Sequence, residues 1–400
     1  MRPMPLRLVS LLLHAYVAWR VAPALGSAWV SGAFVAVLVA SALSLPFGFA
    51  ARRAGTARPI DRLLGWTGLV AMGLFSSLFV LTALRDVALI ALSAIGWLSP
   101  GIGSLSGFAV VSAGAVPIVA LLVTLWGFVN ARRTAAVVRV DVSVADLPPA
   151  LEGFRIVQIS DIHVGPTIRR PYVEAIVAAV NRLDADLVAV TGDLVDGSVA
   201  DLAEHVAPLA DLRSRDGTFF VTGNHEYYSG AAAWVSELRR LGLTVLMNEH
   251  VVLRRGDAAI VVAGVTDFSA GHFDRAGASD PKRALAGSPP AALRLLLAHQ
   301  PRSAEAAEAA GVDLQLSGHT HGGQFLPWNF LVRLQQPFTA GLKRWRRMWV
   351  YTSRGTGYWG PPKRFGAPSE ITLLRLVAAR PRAAARVRPL PRPASAASGV

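Results

Sequence analysis

The sequence predicts an α/β domain preceded by an all-α transmembrane region of about four helices, and three observations carry that prediction. Apolar runs long enough to cross a bilayer fill the first third of the chain. From Ala136 onward, short β-branched runs alternate with helical stretches. Polar residues with metal-ligating chemistry follow those β-like runs in series, at the strand ends where open α/β sheets gather their ligands.

Composition separates two materials. The chain has 400 residues, 52% hydrophobic and only 16% charged, which exceeds the usual soluble balance and places part of it in a membrane. Nearly all acidic residues lie from Asp141 onward. The formal charge of +14 does not point to nucleic acid, because the arginines gather at the ends of the apolar segments, between Lys343 and Arg347, and in the tail. That distribution suits an anionic bilayer surface. With no cysteine, thiolate sites and disulfides are excluded, and any metal must rest on Asp, Asn and His. The expected organisation is a transmembrane region over 1–135, a catalytic domain over 136–378 and a disordered basic tail rich in Pro, Arg and Ala over 379–400.

A transmembrane helix needs about 20 apolar residues, and residues 5–25, 28–50, 63–84 and 108–130 meet that need. His14 and Arg20 interrupt the first segment. Arg2 and Arg7 ahead of a run ending at Ala22-Pro23-Ala24 would also suit a cleavable signal peptide. Arg52, Arg53, Arg58 and Arg62 fill the second connection and Arg132, Arg133 and Arg139 follow the fourth segment, whereas the connection over 99–106 has no charge. The positive-inside rule then puts the catalytic half in the cytoplasm of a multi-pass cell-membrane protein. Arg85 and Asp86 are expected to end the third segment and reach the headgroups, leaving 87–98 in the interface. His14 is read as a packed or interfacial side chain.

In the second half, strands are predicted over 137–144, 154–160, 186–191, 218–222, 258–265, 293–298, 313–317, 349–352 and 371–376. Helices are predicted over 171–183, 199–212, 231–241 and 303–310. Asp161, Asp193, Asn224, His299 and His319 each follow one of these strands. In extended backbone, residues two apart point the same way, so Asp161 and His163 can grip one metal from one strand end. His319 and His321 share that spacing in a glycine-flanked turn, which aims one imidazole at each of two adjacent ions. Asp193 follows Gly192, where a missing side chain allows close backbone approach, and its two oxygens can bridge. Asn224 supplies a neutral oxygen. Such a nitrogen and oxygen shell suits two divalent ions of manganese, iron, zinc or magnesium.

Asp161-x-His163, Gly192-Asp193-x-x-Asp196, Gly223-Asn224-His225-Glu226, the isolated His299 and Gly318-His319-x-His321, in that order, resemble the calcineurin-like metallophosphoesterases. Ser353-Arg354-Gly355-Thr356-Gly357 and Arg364-Phe365-Gly366 are similar to the membrane-associated bacterial phosphodiesterase branch, and the resemblance covers about 154–376. It implies a four-layer αββα sandwich. It implies one metal on Asp161, His163, Asp193 and His321, a second on Asp193, Asn224, His299 and His319, and His225 as the catalytic histidine. The expected chemistry is attack at phosphorus by a hydroxide bridging two ions about 3.5 to 4 Å apart. His225 would protonate the leaving oxygen, with Asp161 or Asp196 orienting it. Glu226 is read as a support behind the ligands or a helix start.

The substrate expected from the membrane helices is a lipid-linked phosphodiester or diphosphate, some members of the branch or its relatives cleaving UDP-diacylglucosamine. The alternatives are a nucleotide phosphodiesterase or protein phosphatase merely localised by its helices, and a membrane sensor or transporter regulated by the phosphoesterase domain. The interleaved cations and indoles from Lys343 to Trp349 suit a membrane interface better than stacked nucleic acid, the further reading being a solvated hairpin with its tryptophans packed inward. His205, His250 and His272 are read as surface or packing residues. Asp267 is read as either a turn residue or a border of the site.

Overall fold

The structure, a computed structural model, describes residues 6–53, 59–98 and 105–379. The predicted tail beyond Ala379 and most of the chargeless 99–106 connection lie outside the described residues. Among the described residues the first third forms four helices, α1 (Leu6–Val21), α2 (Ala28–Arg53), α3 (Pro59–Leu98) and α4 (Leu105–Arg132). Three of them are long and apolar enough to cross a membrane, over Ala28–Gly48, Pro59–Leu98 and Ser106–Arg132. The first, with 16 residues, spans only about 24 Å at 1.5 Å per residue and falls short. Helices α2 and α3 touch through glycine, since a Cβ on Gly68 would lie 2.5 Å from the Ser44 carbonyl and 2.6 Å from the Gly48 nitrogen.

Helix α3 corrects one expectation. It does not end at Arg85 and Asp86 but runs unbroken through 40 residues. The Arg85 side chain is buried and donates to Ser112 Oγ at 3.0 Å and to the carbonyls of Arg20 and Ala109 at 3.1 and 2.9 Å. Asp86 accepts from Tyr16 at 2.7 Å and from Arg20 at 2.8 Å. Paired charges with satisfied donors therefore pin α1, α3 and α4 together instead of reaching for headgroups. His14 packs face to face on Phe75, with ring centroids 3.5 Å apart, and its Nε2 lies 3.0 Å from Ser41 Oγ.

Two six-stranded sheets form the second half. The first has the order β1 (Ala136–Val144), β12 (Glu370–Ala378), β2 (Arg155–Ile159), β3 (Leu187–Val190), β4 (Thr218–Phe220) and β5 (Thr244–Val245). In the second, the order is β10 (Gly341–Trp345), β11 (Met348–Thr352), β9 (Leu314–Ser317), β8 (Leu293–Leu297), β7 (Ala258–Gly264) and β6 (Glu249–Arg255). Strands β2 to β5 run parallel, as do β7, β8, β9 and β11. Their alternating apolar side chains bury both faces, which is why these runs read as continuous hydrophobic stretches.

Between the sheets, Ile156, Leu187 and Phe219 meet Ile260, Leu295 and Leu316. On the outer face of the first sheet pack α5 (Arg170–Asn181), α6 (Val199–Val206) and α8 (Ala231–Arg240), through Val173, Leu202 and Trp234. A short helix, α7 (Asn224–Ser229), follows β4. The outer face of the second sheet is covered around Ala284, Ala304 and Ala307. The layers are αββα, each fully buried aliphatic or aromatic side chain contributing roughly 1.5–3 kcal/mol. Only three residues separate α4 from β1, and β1 pairs with β12 over nine positions, so the last long apolar helix leads straight into the first sheet.

Candidate metal centre

The parallel strands bring their carboxyl ends to one place. Asp161 and His163 follow β2, Asp193 follows β3, Asn224 and His225 follow β4, His299 follows β8, and His319 and His321 follow β9. The extended-strand explanation for Asp161 and His163 does not hold. Strand β2 ends at Ile159, and both residues sit in left-handed backbone, at φ 53° and 56°. Asp193, His319 and His321 do the same at φ 51°, 68° and 51°. Each such position costs about 1–3 kcal/mol and persists only where neighbours over-determine it. Here the restraint is backbone hydrogen bonding: Asp161 N–H to the Gly192 carbonyl at 3.0 Å, His163 N–H to that of Asp193 at 3.1 Å, and Val164 N–H to that of Leu194 at 2.8 Å.

Two glycines make the crossing possible. A Cβ on Gly192, itself at φ +85°, would lie 2.6 Å from the Gly223 nitrogen and 2.8 Å from His299 Nδ1. On Gly318 it would overlap the Asp161 carboxylate and the Ser160 hydroxyl.

The donor atoms then crowd together. Asp161, His163 and His321 form one group close enough to hold an ion, and Asp193, His299 and His319 form another, with His163, Asp193 and His225 between them. His163 Nε2 lies 3.0 Å from His321 Nε2, and His321 Nε2 lies 3.5 Å from Asp161 Oδ1. Asp193 Oδ2 is 3.1 Å from His299 Nε2 and 3.9 Å from His163 Nε2, so one carboxylate faces both groups. His319 Nδ1 is 3.2 Å from His299 Nε2. Asn224 Oδ1 is buried without a hydrogen-bond partner. A buried carbonyl oxygen left unpaired costs about 1–3 kcal/mol, and the imidazole nitrogens converge within about 3 Å of one another beside the Asp193 and Asp161 carboxylates. Both features fit divalent cations bound by nitrogen and oxygen.

Surrounding groups fix the ligand orientations. His299 Nδ1 lies 2.7 Å from the Thr191 carbonyl, which sets that nitrogen as the donor and turns Nε2 inward. Asp196 Oδ1 lies 3.0 Å from His163 Nδ1 and 2.5 Å from His225 Nδ1. Of the two carboxylates offered for orienting His225, Asp196 thus touches its ring, while Asp161 accepts the His319 N–H at 2.9 Å. Glu226 is fully buried and accepts from the backbone N–H of Gly223, Asp193 and Leu194 at 2.6, 2.9 and 2.7 Å, capping α7 and clamping the Asp193 turn. Burial and the Asp193 charge push its carboxyl up to about 7, against these donors.

The electrostatics follow from a dry, crowded site. Burial lowers the His319 imidazolium to about 3, and His299 adds to that effect. His321 is held well below its ordinary value by burial and the neighbouring Arg364. Both rings are therefore held in the neutral form. Burial alone would lower His299, but the Asp193 and Asp161 carboxylates outweigh it and hold it well above 6.5. Burial would likewise raise Asp193, yet His299 and His225 keep it well below the ordinary carboxylate range.

Several supporting residues carry no distinctive signal in sequence. Arg364 is fully buried, its guanidinium 3.0 Å from His321 Nδ1 and donating to the His321 and Arg354 carbonyls at 2.9 and 2.7 Å. Its surroundings in the Arg364-Phe365-Gly366 stretch mark it only by resemblance. Asp267 serves both readings offered for it. It accepts the Ser269 N–H at 2.8 Å as a turn, and at 3.0 Å it holds Gln300, the residue after His299. His205 and His250 are packing residues, lying 2.6 Å from Arg169 Nη1 and 2.7 Å from the Ala284 carbonyl.

The segment from Lys343 to Trp349 takes the hairpin form offered as one of its readings. It forms the β10–β11 hairpin, with Met348 buried, Trp349 Nε1 donating to the Ser143 carbonyl at 2.9 Å and Arg344 stacked over Trp349. Its indoles pack against the protein.

Such a fold and site are those of a metallophosphoesterase domain. Residues 154–323, which include every candidate ligand, match the calcineurin-like phosphoesterase family, and the chain belongs to it. A transmembrane protein with metallophosphoesterase domain from Bos taurus is 43% identical over 279 residues, 66% of this chain and 63% of the relative. An uncharacterized metallophosphoesterase of Helicobacter pylori is 43% identical over 225 residues, 56% of this chain and 60% of the relative. One of Aquifex aeolicus is 34% identical over 232 residues, 58% of this chain and 87% of the relative. The chain spans about three fifths of the length of the first two. Relatives come from animals as well as bacteria, which widens the bacterial branch suggested by sequence.

Proposed function

We propose that the chain is a membrane-anchored hydrolase of lipid-linked phosphodiesters or diphosphates, with two divalent ions at its centre and its catalytic half on the cytoplasmic side. One observation carries the membrane part of this reading: the loops beside the candidate ligands rest on α3. Lys363 Nζ donates to the Gly73 carbonyl at 2.7 Å and to Ser77 Oγ at 2.6 Å, while its neighbour Arg364 holds His321. A centre tethered this way meets lipid-borne phosphate at high effective concentration. The arginines flanking α2, α3 and α4 favour the cytoplasmic orientation.

Asp161, His163, Asp193 and His321 would hold one ion, and Asp193, Asn224, His299 and His319 the other. When bound, such ions polarise phosphoryl oxygens and make water a nucleophile at neutral pH. The chain's own contribution centres on His225. Asp196 takes the Nδ1 side of its ring, which leaves Nε2, 4.0 Å from Asp193 Oδ2, to present a proton to the leaving oxygen. The same Asp196 oxygen orients His163, so proton donor and ligand are set by one carboxylate. Tyr228 and Trp359 stand edge-on to the His225 ring at 5.4 and 6.0 Å and limit water at the donor.

The test is turnover by the full-length protein of phospholipid and nucleotide-linked lipid panels beside soluble nucleotides and phosphopeptides. Hydrolysis of the lipid-linked panel is expected. Turnover confined to soluble nucleotides or phosphopeptides would replace this reading with a merely localised phosphodiesterase or protein phosphatase.

A further inference from the structure

We propose that the segment from Trp328 to Leu334 is a bilayer-seated lip, its apolar side chains inserted among lipids beside α3, holding the mouth of the metal centre at the membrane surface. The inference concerns where the protein touches lipid and stands whichever phosphoester is cleaved.

The segment follows the His319–His321 turn and exposes large apolar groups in succession. Phe330 is 61% and Leu334 82% exposed, with Trp328 and Leu331 also open. Exposed side chains of this size along one short stretch mark an interaction surface. Tryptophan and arginine, here Trp328 and the exposed Arg333, are the residues that settle at lipid headgroups, the arginine favouring anionic ones.

Its position on α3 identifies the occupant. Just before the lip, the Leu326 carbonyl accepts from Ser76 Oγ at 2.9 Å. Ser76 lies near the middle of the 40-residue α3. A hydrocarbon core about 30 Å thick takes roughly 20 residues of helix. Any run of about 20 residues laid on Pro59–Leu98 either includes Ser76 or begins within about three residues of it, roughly 5 Å along the axis. Wherever α3 crosses, Leu326 therefore stands at or inside the bilayer boundary, and the open side chains that follow it face lipid.

Both ends of the lip are tied to the metal-binding turns. Gln324, three residues after His321, donates to the Trp359 carbonyl at 2.8 Å and accepts the Trp359 N–H at 2.9 Å, and Trp359 borders His225. At the other end Gln336 is buried, accepting from Arg302 N–H at 3.2 Å and donating to Gln300 at 3.2 Å, next to His299. Anchored ends with an open middle make a rigid rim rather than a loose loop. Seating that rim fixes the height of the centre over the headgroups.

The chain has no cysteine, so single cysteines report position without background. Nitroxides would be placed by Phe330→Cys and Leu334→Cys in the full-length protein, in vesicles of equal parts phosphatidylcholine and phosphatidylglycerol. Asp184→Cys is the reference, exposed and ahead of β3 at the end of the sheet opposite the site. At both lip positions, collisions with bilayer-dissolved oxygen should exceed those with an aqueous nickel complex severalfold, with the reverse at Asp184. If both lip nitroxides match the Asp184 pattern, the lip is in water and the proposal fails, whatever substrate the enzyme turns over. Two lip positions keep the test decisive should one variant fold poorly.

Discussion

Asp196 Oδ1 lies 2.5 Å from His225 Nδ1 and 3.0 Å from His163 Nδ1, so a single carboxylate oxygen aligns the proposed proton donor and a candidate ligand. Replacing it by asparagine keeps the shape and leaves a neutral carbonyl oxygen able to accept from both rings, but removes the charge that stabilises an imidazolium. Asp196→Asn should lower kcat by about a hundredfold, within the 10²–10⁴ range typical of general acid loss. The deficit should grow with the basicity of the leaving group. A series of aryl phosphodiesters checks this, because an unchanged dependence on leaving-group pKa would remove His225 from proton donation.

Gly192 sets how closely the Asp193 turn approaches β4 and His299. With a Cβ placed 2.6 Å from the Gly223 nitrogen and φ at +85°, Gly192→Ala should destabilise by about 1–3 kcal/mol and displace His299 from Asp193. Thermal unfolding and metal content together read both effects. A variant with parental stability and metal content would show that the crossing tolerates bulk.

Glu226 is surrounded by four backbone donors, those of Gly223, Asp193, Leu194 and Val195. In Glu226→Gln an amide group must confront one of those N–H groups, which should cost about 1–3 kcal/mol and loosen the Asp193 turn. Amide hydrogen exchange at Asp193 and Leu194 should accelerate relative to the parent. Unaltered exchange there would assign the clamp to other contacts.

Lys363 gives a pH signature. Burial lowers its amine from 10.5 to about 8. Below about 8 it is charged in both folded and unfolded chains, and the folded protein bears the desolvation penalty. Between about 8 and 10.5 the unfolded chain binds more protons than the folded one, so this residue makes stability rise with pH over that window. Comparing melting in detergent across that range for the parent and Lys363→Met isolates the contribution. The parent-minus-variant difference should increase with pH, and a flat difference would mean that the ammonium is solvated.

Much of this architecture is legible from residue pattern, and the exceptions share a physical cause. Strands β2, β3, β4, β7, β8 and β9 are central, covered on both faces, and their apolar runs announce them. The three strands that escape the pattern, β5, β6 and β10, all lie at sheet edges. Edge strands need no continuous apolar run and often carry charge, as in Arg254 and Arg255 of β6 or Lys343 and Arg344 of β10.

The site divides in the same way. Asp161, His163, Asp193, Asn224, His299, His319 and His321 stand out because imidazoles and carboxylates beside glycine are costly without a purpose. Their left-handed backbone is not legible, since it arises from bonds between turns distant in sequence, such as Asp161 to Gly192. Arg364 and Gln324 are ordinary surface residue types whose burial only the assembled loops create. The same holds for Arg85: a charged pair in an apolar run reads as a helix end until its partners Arg20, Ala109 and Ser112 arrive from other helices.

Side chains from five strand ends are proposed to hold divalent ions for phosphoester hydrolysis. Metal analysis of the purified full-length protein, paired with hydrolysis of a generic aryl phosphodiester, tests it most directly when the parent is set beside Asp193→Asn and His225→Ala. Two bound divalent ions and turnover are expected in the parent, loss of both metal and turnover in Asp193→Asn, and retained metal with turnover lowered by about 10²–10⁴ in His225→Ala. A parent that binds no divalent metal, or an Asp193→Asn variant that keeps its metal and its rate, would contradict it.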